Sequence, residues 1–349
     1  MDEPMDDEDG RPPADEVRRI ARAVLYEGYL LWPYRQSALK NRHRWTIGGV
    51  HPEPYGREHD GHPWLMRTQC LVEADAGARV DVRVRYLHVL VREPALVRDG
   101  LAEPVPELVT GGLRIVPREE ATERETAACG LALEDLARRP VRAAIEVPAG
   151  QEIEPLPDTV PVEDGRPIGA VVRHWEGLRG HVEVSAEPLG PGLFRLTADV
   201  VNTTPWPGGS RSDLMRRTLV SAHTALHARD GRFVSLMDPP EELREHAEGC
   251  RGLGAWPVLV GEEGERHTML SAPIILYDHP RISPESPGDL FDATEIDQLL
   301  TLCVLALGEE EQREIREGDP RGREILERCA GLTAEQLMRL HGVLRRDEA

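Results

Sequence analysis

The residues best placed for chemistry follow a short apolar run near position 275. Asp278, His279 and Arg281 come directly after the apolar residues 273–277, where a buried strand is expected to give way to a loop. Charged groups at the end of a strand are frequent functional placements, and a carboxylate beside an imidazole can act as an acid–base pair. Neighbouring residues of an extended chain point in opposite directions, so the alternative is a set of polar residues that only closes the loop.

Histidines occur in two groups whose residue type suits a metal ion. His223 and His227 lie four residues apart on a predicted helix 214–228, the spacing at which two imidazoles can share one metal. The second group falls within twenty residues and consists of His43, His51, His59 and His62. Neither group belongs to a known zinc motif such as HExxH. Ordinary histidines on a helix face and in a surface loop are the alternatives, and no metal or other cofactor is expected.

The strongest recognition signal lies in residues 26–50, YEGYLLWPYRQSALKNRHRWTIGGV. Five of the fifteen aromatic residues and four positive charges fall there, and no acid occurs between Glu27 and Glu53 although the chain has 62 acids. Aromatic residues and arginine are enriched at protein interfaces, above all at their energetic centres. The segment is therefore typical of a binding surface.

Pro33 divides this segment, because a residue before proline disfavours the helical region and a preceding helix should end there. The aromatic residues before Pro33 have helical spacing and are expected to pack in the core. The binding residues are expected after Pro33 and in the second polar segment. They are Tyr34, Arg35, Lys40 (the only lysine of the chain), Arg42, His43, Arg44, Trp45, Asp278, His279 and Arg281.

The elements that must position these residues form an α+β pattern. Alternating apolar residues predict a half-buried strand over 79–91 and a β-hairpin over 181–204. Two further segments joined by the turn EEGE predict an antiparallel pair over 254–278. Helical patterns cover 14–32, 118–138 (weakly), 214–228, 293–307 and the charged tail beyond 309. We therefore expect an α+β fold: an antiparallel β-sheet core with flanking helices, a helical C-terminus and a disordered acidic N-terminal tail.

A segment rich in proline and acids, 147–168, is the best candidate for a boundary between two lobes. The expected organisation is a disordered tail over 1–14, an N-terminal α+β lobe over 15–150, and a C-terminal α+β lobe with terminal helices over 165–349.

Composition narrows the function class. The formal charge of −20 argues against a nucleic-acid partner, since phosphate binding needs a cationic surface. No run of 18 apolar residues occurs, so no membrane insertion is expected. The acidic start is unlike a secretory signal, and five singly placed cysteines fit reduced thiols. These features favour the cytoplasm.

The run of residues 26–50 and the run SAPIILYDHPRISPESPGDLFDATEIDQLLTL over 271–302 carry a resemblance. Together they resemble an actinobacterial family of accessory proteins encoded beside nickel–iron hydrogenase genes, and the similarity spans roughly residues 16–330. The resemblance implies a role in assembling, maturing or supporting a hydrogenase, with a hydrogenase subunit or maturation factor as partner. It carries over no catalytic residue.

Two hypotheses follow. The first is a non-catalytic accessory protein that binds its partner through residues 34–45. The second is an enzyme of unknown reaction, with a polar cleft formed by residues 34–45 and 278–292. No GxSxG, phosphate-binding loop or kinase pattern names a reaction, so the sequence favours the first.

Overall fold

The computed structural model describes residues 48–98, 101–110, 113–156 and 168–280, together with Glu327. Nearly all of this part is antiparallel strand. The strands are β1 Leu65–Arg98, β2 Leu101–Pro104, β3 Leu108–Thr110, β4 Leu113–Ile115, β5 Arg118–Ala132, β6 Val141–Val147, β7 Gly150–Pro155, β8 Ile168–Trp175, β9 Leu178–Gly190, β10 Leu193–Asn202, β11 Val220–Val234, β12 Trp256–Leu259 and β13 Thr268–Ala272. The α-helices are short: α1 Glu53–Gly56, α2 Leu133–Arg138, α3 Arg211–Met215 and α4 Arg244–Glu248, with one 3₁₀ turn, Glu241–Leu243.

The 34-residue strand β1 is the spine of an eleven-stranded sheet. Along one side it pairs first with β10, then with β5 and β2. Along the other side it pairs with β11 and then with β8. The alternating valines of residues 80–84 suit this position, because β-branched side chains pack well on a pleated surface. The sheet continues outward through β13 to the edge strand β12, and through β9 to β6.

β1 changes partners where its register shifts. One shift lies between Ala74 and Arg79, and a second lies between Arg85 and Leu87. Such irregularities bend a strand and increase its twist, and Gly77 supplies the positive φ of 84° that the first bend contains. The sheet consequently curls into a half-barrel.

The main core lies on one face of this curled sheet. It is built from alternate residues of the central strands, for example Val80, Val82, Val84 and Tyr86 of β1 with Leu196, Ala198 and Val200 of β10. Helix α2 packs Leu133 and Leu136 into the same cluster. One continuous core therefore joins the strands that flank β1.

The expected α+β fold with flanking helices is wrong for the described residues. Residues 118–138 form β5 followed by the short α2. The predicted helix 214–228 ends at Met215 and is replaced by β11. Ser210 and Asp213 form a capping box that begins α3. β11 lies between β1 and β13 and buries residues on both faces, so sheet pairing outweighs the helical pattern.

The expected helix 14–32, the acidic tail 1–14 and the helical C-terminus lie outside the described residues. The predicted boundary at 147–168 contains β7 and the start of β8, and its residues 157–167 also lie outside. Strands from both sides of this segment pair within the eleven-stranded sheet, since β6 pairs with β9 and β8 with β1. In the described part, no helix has the length and apolar character needed to cross a membrane.

Candidate functional site

Two distant stretches of the chain, residues 48–51 and 273–280, meet at one end of the sheet. Gly48 lies so close to Pro273 that a Cβ atom added to Gly48 would come within 2.2 Å of the Pro273 Cβ. The Gly48 carbonyl accepts a hydrogen bond from the Ala222 amide at 3.1 Å, and Val50 forms a β-bridge with Leu219. The chain that follows the predicted binding segment 34–45 is therefore anchored beside the stretch that leads to Asp278.

A pocket of about 230 Å³ opens where these stretches meet, and we call it the junction pocket. Its lining is rich in glycine and proline, with the rings of one histidine and one tryptophan. The lining residues are Gly48, Gly49, Val50, His51, Gly61, Pro63, Leu65, Met66, Gly254, Trp256 and Pro273. Among the described residues, His51 is the only acidic or basic residue that lines it, so the pocket can accept an apolar or aromatic group.

One flank of the junction pocket is a cluster of stacked rings. His51 stacks on His62 with centroids 5.0 Å apart, and Tyr55 stacks on His59 at 4.0 Å. Trp206 meets the Tyr55 ring edge-on at 5.6 Å. Tyr55 lies in helix α1 and His59 in the turn that follows it, where the His59 Nδ1 is 2.9 Å from the Tyr55 carbonyl. Offset and edge-on ring contacts of this kind stabilise packing.

The surroundings of two histidines in this ring cluster, His51 and His62, favour the neutral imidazole. Burial lowers the pKa of His51 to about 4, and the charges of His62 and Arg211 lower it further. The pKa of His62 is also lowered, first by burial and then by His59 and Arg211. The His51 Nδ1 lies 3.1 Å from the Thr218 hydroxyl.

The positions of the histidines can be compared with the two predicted metal sites. Across the described residues, no group of three or more His, Cys, Asp or Glu side chains is arranged to hold a metal ion. His43 lies outside these residues. The helical pairing of His223 and His227 is wrong, because both lie on β11, where four residues span about 13 Å. Residues four apart on a helix have their Cβ atoms about 5–6 Å from each other, so the strand removes the close spacing on which the predicted shared site depended.

Asp278 and His279 protect the outer edge of β12. In the β12–β13 ladder the Val260 amide bonds to the Thr268 carbonyl, so the backbone groups of Leu259 point away from β13. The Leu259 amide donates to Asp278 Oδ1 at 2.8 Å, and the Leu259 carbonyl accepts from the His279 amide at 2.8 Å. His279 adopts φ 54° to reach this position. Unpaired edge groups invite pairing with other chains, and here they are satisfied within the molecule.

The two side chains are held by different partners. Asp278 Oδ2 accepts a hydrogen bond from the Ser235 hydroxyl at 2.5 Å, and the His279 Nδ1 lies 3.1 Å from the Gly261 carbonyl. Both carboxylate oxygens of Asp278 are thus engaged in holding loops together. These contacts match the interpretation of loop closure better than that of an acid–base pair.

Asp278→Ala is expected to lower the free energy of unfolding by about 2 kcal/mol, because it leaves the buried Leu259 amide without its charged acceptor. Chemical denaturation of the purified variant measures the loss. Asp238→Ala is the matched control, since Asp238 is exposed in the loop that contains Ser235 and should change stability by no more than about 0.5 kcal/mol. Equal effects of the two substitutions would show that the edge contacts contribute nothing.

The other flank of the junction pocket exposes large apolar side chains. In residues 273–277 the side chains alternate: Ile274 and Leu276 pack inward against a small core cluster, while Ile275 and Tyr277 point outward. Ile275 is 74% exposed and Tyr277 80% exposed. Trp256, which lines the pocket, and Leu253 are about half exposed, and we call these four apolar side chains the edge patch. Sequence reasoning missed it, because the run PIILY is apolar throughout and therefore predicted a strand buried on both faces.

Of the predicted binding residues, Asp278 and His279 lie beside the edge patch. The others, Tyr34 to Trp45 and Arg281, are outside the described residues. No protein-family model matches the chain, and a search of curated proteins finds no significant match.

Proposed function

We propose that this chain is an accessory protein that supports assembly or maturation of a nickel–iron hydrogenase by binding a hydrogenase subunit or maturation factor. The observation that carries the protein-binding part is the edge patch, which lies beside the junction pocket where the segment 34–45 joins the described fold. The sequence resemblance supplies the class of partner. The single, unpaired placement of the cysteines supports the cytoplasm as the place of action.

The edge patch has the composition and support of an interface centre. Exposed isoleucine, tyrosine and tryptophan side chains gain roughly 25 cal/mol for each Å² of apolar surface that a partner covers, and aromatic anchors dominate interface energies. Ile274 and Leu276 pack against a core cluster and so hold the backbone of residues 273–277 in place. The Asp278 carboxylate, which accepts from the Leu259 amide, holds the end of this stretch against β12. Side chains presented on an anchored backbone lose less conformational entropy on binding.

The edge of β12 indicates how a partner would bind. Leu259 already uses its outward amide and carbonyl within the molecule. Pro257 has no amide hydrogen to offer. Addition of a partner strand is therefore disfavoured, and we infer that the partner contacts the side chains of the edge patch and inserts an apolar group into the junction pocket.

The enzyme hypothesis receives less support. Its cleft requires Asp278 and His279 to be available to a substrate, whereas Asp278 bonds to Ser235 and Leu259 and His279 lies against Gly261. Loop-closing contacts of this kind favour the accessory role over the catalytic one.

The double substitution Ile275→Ser with Tyr277→Ser is expected to reduce copurification of the hydrogenase component roughly tenfold or more, because two interface anchors are lost. The measurement is affinity purification of the tagged full chain from its native host, followed by quantitative mass spectrometry. Hydrogenase activity in the same cells should fall in parallel.

Leu101→Ser with Val109→Ser is the matched control, because these side chains are 72% and 64% exposed on other strands. It should leave copurification unchanged. The proposal fails if wild-type protein captures no hydrogenase component, or if the edge-patch variant keeps its fold and captures as much as wild type does.

A further inference from the structure

Three arginines stand in a row across the far half of the sheet. Arg92 of β1 is directly opposite Arg118 of β5 on one side and directly opposite Arg173 of β8 on the other. Like charges directly opposite one another destabilise a sheet. Two such pairs in one row are therefore a cost to the fold, and structural stability by itself does not explain the row.

The carboxylates that contact this row leave some of the hydrogen-bond donors of its arginines unused. Glu120 accepts hydrogen bonds from Arg118 at 2.7 Å and from Arg173 at 3.0 Å. Arg173 also donates to Glu154 at 2.6 Å. The three guanidinium groups carry three positive charges and these two carboxylates carry two negative charges, so one positive charge is not balanced by them. Glu152, the cross-strand neighbour of Arg173, is exposed.

Arg92 is the member of the row with the poorest partners. Its Nε approaches Glu120 at 3.3 Å, but the contact lacks hydrogen-bond geometry, and this buried nitrogen has no hydrogen-bond partner within the described residues. Burial lowers the pKa of Arg92, and repulsion from Arg118 adds to the effect. An incompletely satisfied, half-buried guanidinium has much to gain from a further acceptor.

Glu154 shows how such an acceptor can reach the row. Its side chain is mostly exposed, yet its carboxylate binds the Arg173 Nη1 from the solvent side. The carboxylate of Glu154 thus occupies the position that an oxyanion of a ligand would take on Arg173. Displacing it would free a guanidinium beside the unsatisfied Arg92.

We propose that Arg92, Arg118 and Arg173 form a binding site for the carboxylate or phosphate group of a small molecule. Guanidinium groups match the planar geometry of such oxyanions and bind them through paired hydrogen bonds. Glu120 keeps Arg118 and Arg173 in place, Arg92 supplies the main contact, and Glu154 competes with the ligand from within the protein. The site is separate from the junction pocket and adds to the proposed protein-binding function.

Calorimetric titration of the full chain with inorganic phosphate, and separately with citrate, tests the site at low ionic strength. We expect saturable binding of at least one of them, and the tighter one identifies the group that the site prefers. Arg92→Gln should weaken this binding roughly tenfold or more, since it removes a charge-assisted contact. Glu154→Gln should strengthen it several-fold by removing the competing carboxylate.

Arg142→Gln is the control, because Arg142 is an exposed arginine paired with Glu183 on other strands; its affinity should stay at the wild-type value. The proposal is overturned if neither anion binds, if Arg92→Gln binds as wild type does, or if both arginine variants weaken binding equally. If Arg92→Gln does not fold by circular dichroism, Glu154→Gln decides, and an unchanged or weaker affinity in that variant overturns the proposal.

Discussion

The protein is expected to lose stability steeply as the pH falls from about 6.5 towards 4. Three histidines account for this: His51 beside the junction pocket, His88 of β1 and His223 of β11. Burial is the main cause that lowers the pKa of each to about 4. Positive charge adds to it in all three, from His62 and Arg211 at His51, from Arg124 at His88 and from Arg85 at His223.

The sign follows from proton linkage. Below pH 6.5 these histidines take up protons in the unfolded chain, while in the folded protein they stay neutral down to about pH 4. Protonation thus favours the unfolded state throughout this window. At pH 5 each histidine lowers the free energy of unfolding by roughly 2 kcal/mol, so the three together remove about 6 kcal/mol. A typical domain has only about 5–15 kcal/mol of stability in total.

The surroundings of His88 show why the folded protein does not stabilise the protonated ring. His88 is fully buried, and the backbone carbonyls of Glu176 and Arg216 lie near its ring. Neither ring nitrogen makes a hydrogen bond of good geometry within the described residues. A proton on this ring would therefore be buried with poor compensation.

Urea denaturation at pH 7, 6 and 5 measures the effect. His51→Gln should reduce the loss between pH 7 and 5 by about a third, because one of three contributing groups is removed. The control is His59→Gln, which changes an exposed histidine of the same ring cluster. Carboxylates with lowered pKa values, such as Asp81 and Glu120, lose their contribution to stability at lower pH. They therefore change the free energy of unfolding little between pH 7 and 5. A stability that stays constant from pH 7 to 5 would contradict the prediction.

Gly48→Ala is expected to destabilise the protein by about 3 kcal/mol. Gly48 has φ 70°, a conformation that costs a residue with a Cβ atom roughly 1 kcal/mol or more. The new Cβ would also lie 2.2 Å from the Pro273 Cβ and 2.4 Å from its Cγ. The proline ring is rigid, so the two stretches that form the junction pocket must separate, and overpacking of this kind costs about 1–3 kcal/mol.

Gly61→Ala is the control that isolates the clash. Gly61 also lines the junction pocket and has φ 81°, but a Cβ added to it meets no atom within 4 Å. Thermal and chemical denaturation should therefore show only the backbone cost of about 1 kcal/mol for Gly61→Ala. Equal losses in the two variants would mean that Gly48 and Pro273 are not packed as described.

Local patterns identified several strands. The alternation over 79–91 belongs to β1, the hairpin over 181–204 is β9 and β10, and the pair over 254–278 contains β12 and β13. β13 is buried along its whole length and is marked by an apolar segment after a turn, whereas the first two segments carry a period of two in their own residues. β5 and β11 do not show it clearly, because β5 alternates charged with small residues and β11 is buried on both faces. Their apolar spacing matched a helix, and only pairing with β1 decided the strand.

For the candidate site too, the sequence identified residues but not their role. Asp278 and His279 stand out in the sequence as charged residues after an apolar run, but their role depends on which backbone groups of β12 point outward. That direction is set by the register of β12 against β13, which composition and spacing do not encode.

By itself, the sequence determined the acidic composition, the aromatic and basic segment 26–50, the positions of several strands and the residues that end the apolar run 273–277. Tertiary structure decided what these residues do. It brought Gly48 against Pro273, formed the junction pocket and the edge patch, placed Arg92 between Arg118 and Arg173, and turned an apparent acid–base pair into a cap for an edge strand. The physical reason is that a side chain's chemistry is carried by its local sequence, whereas its partners are set by non-local strand pairing.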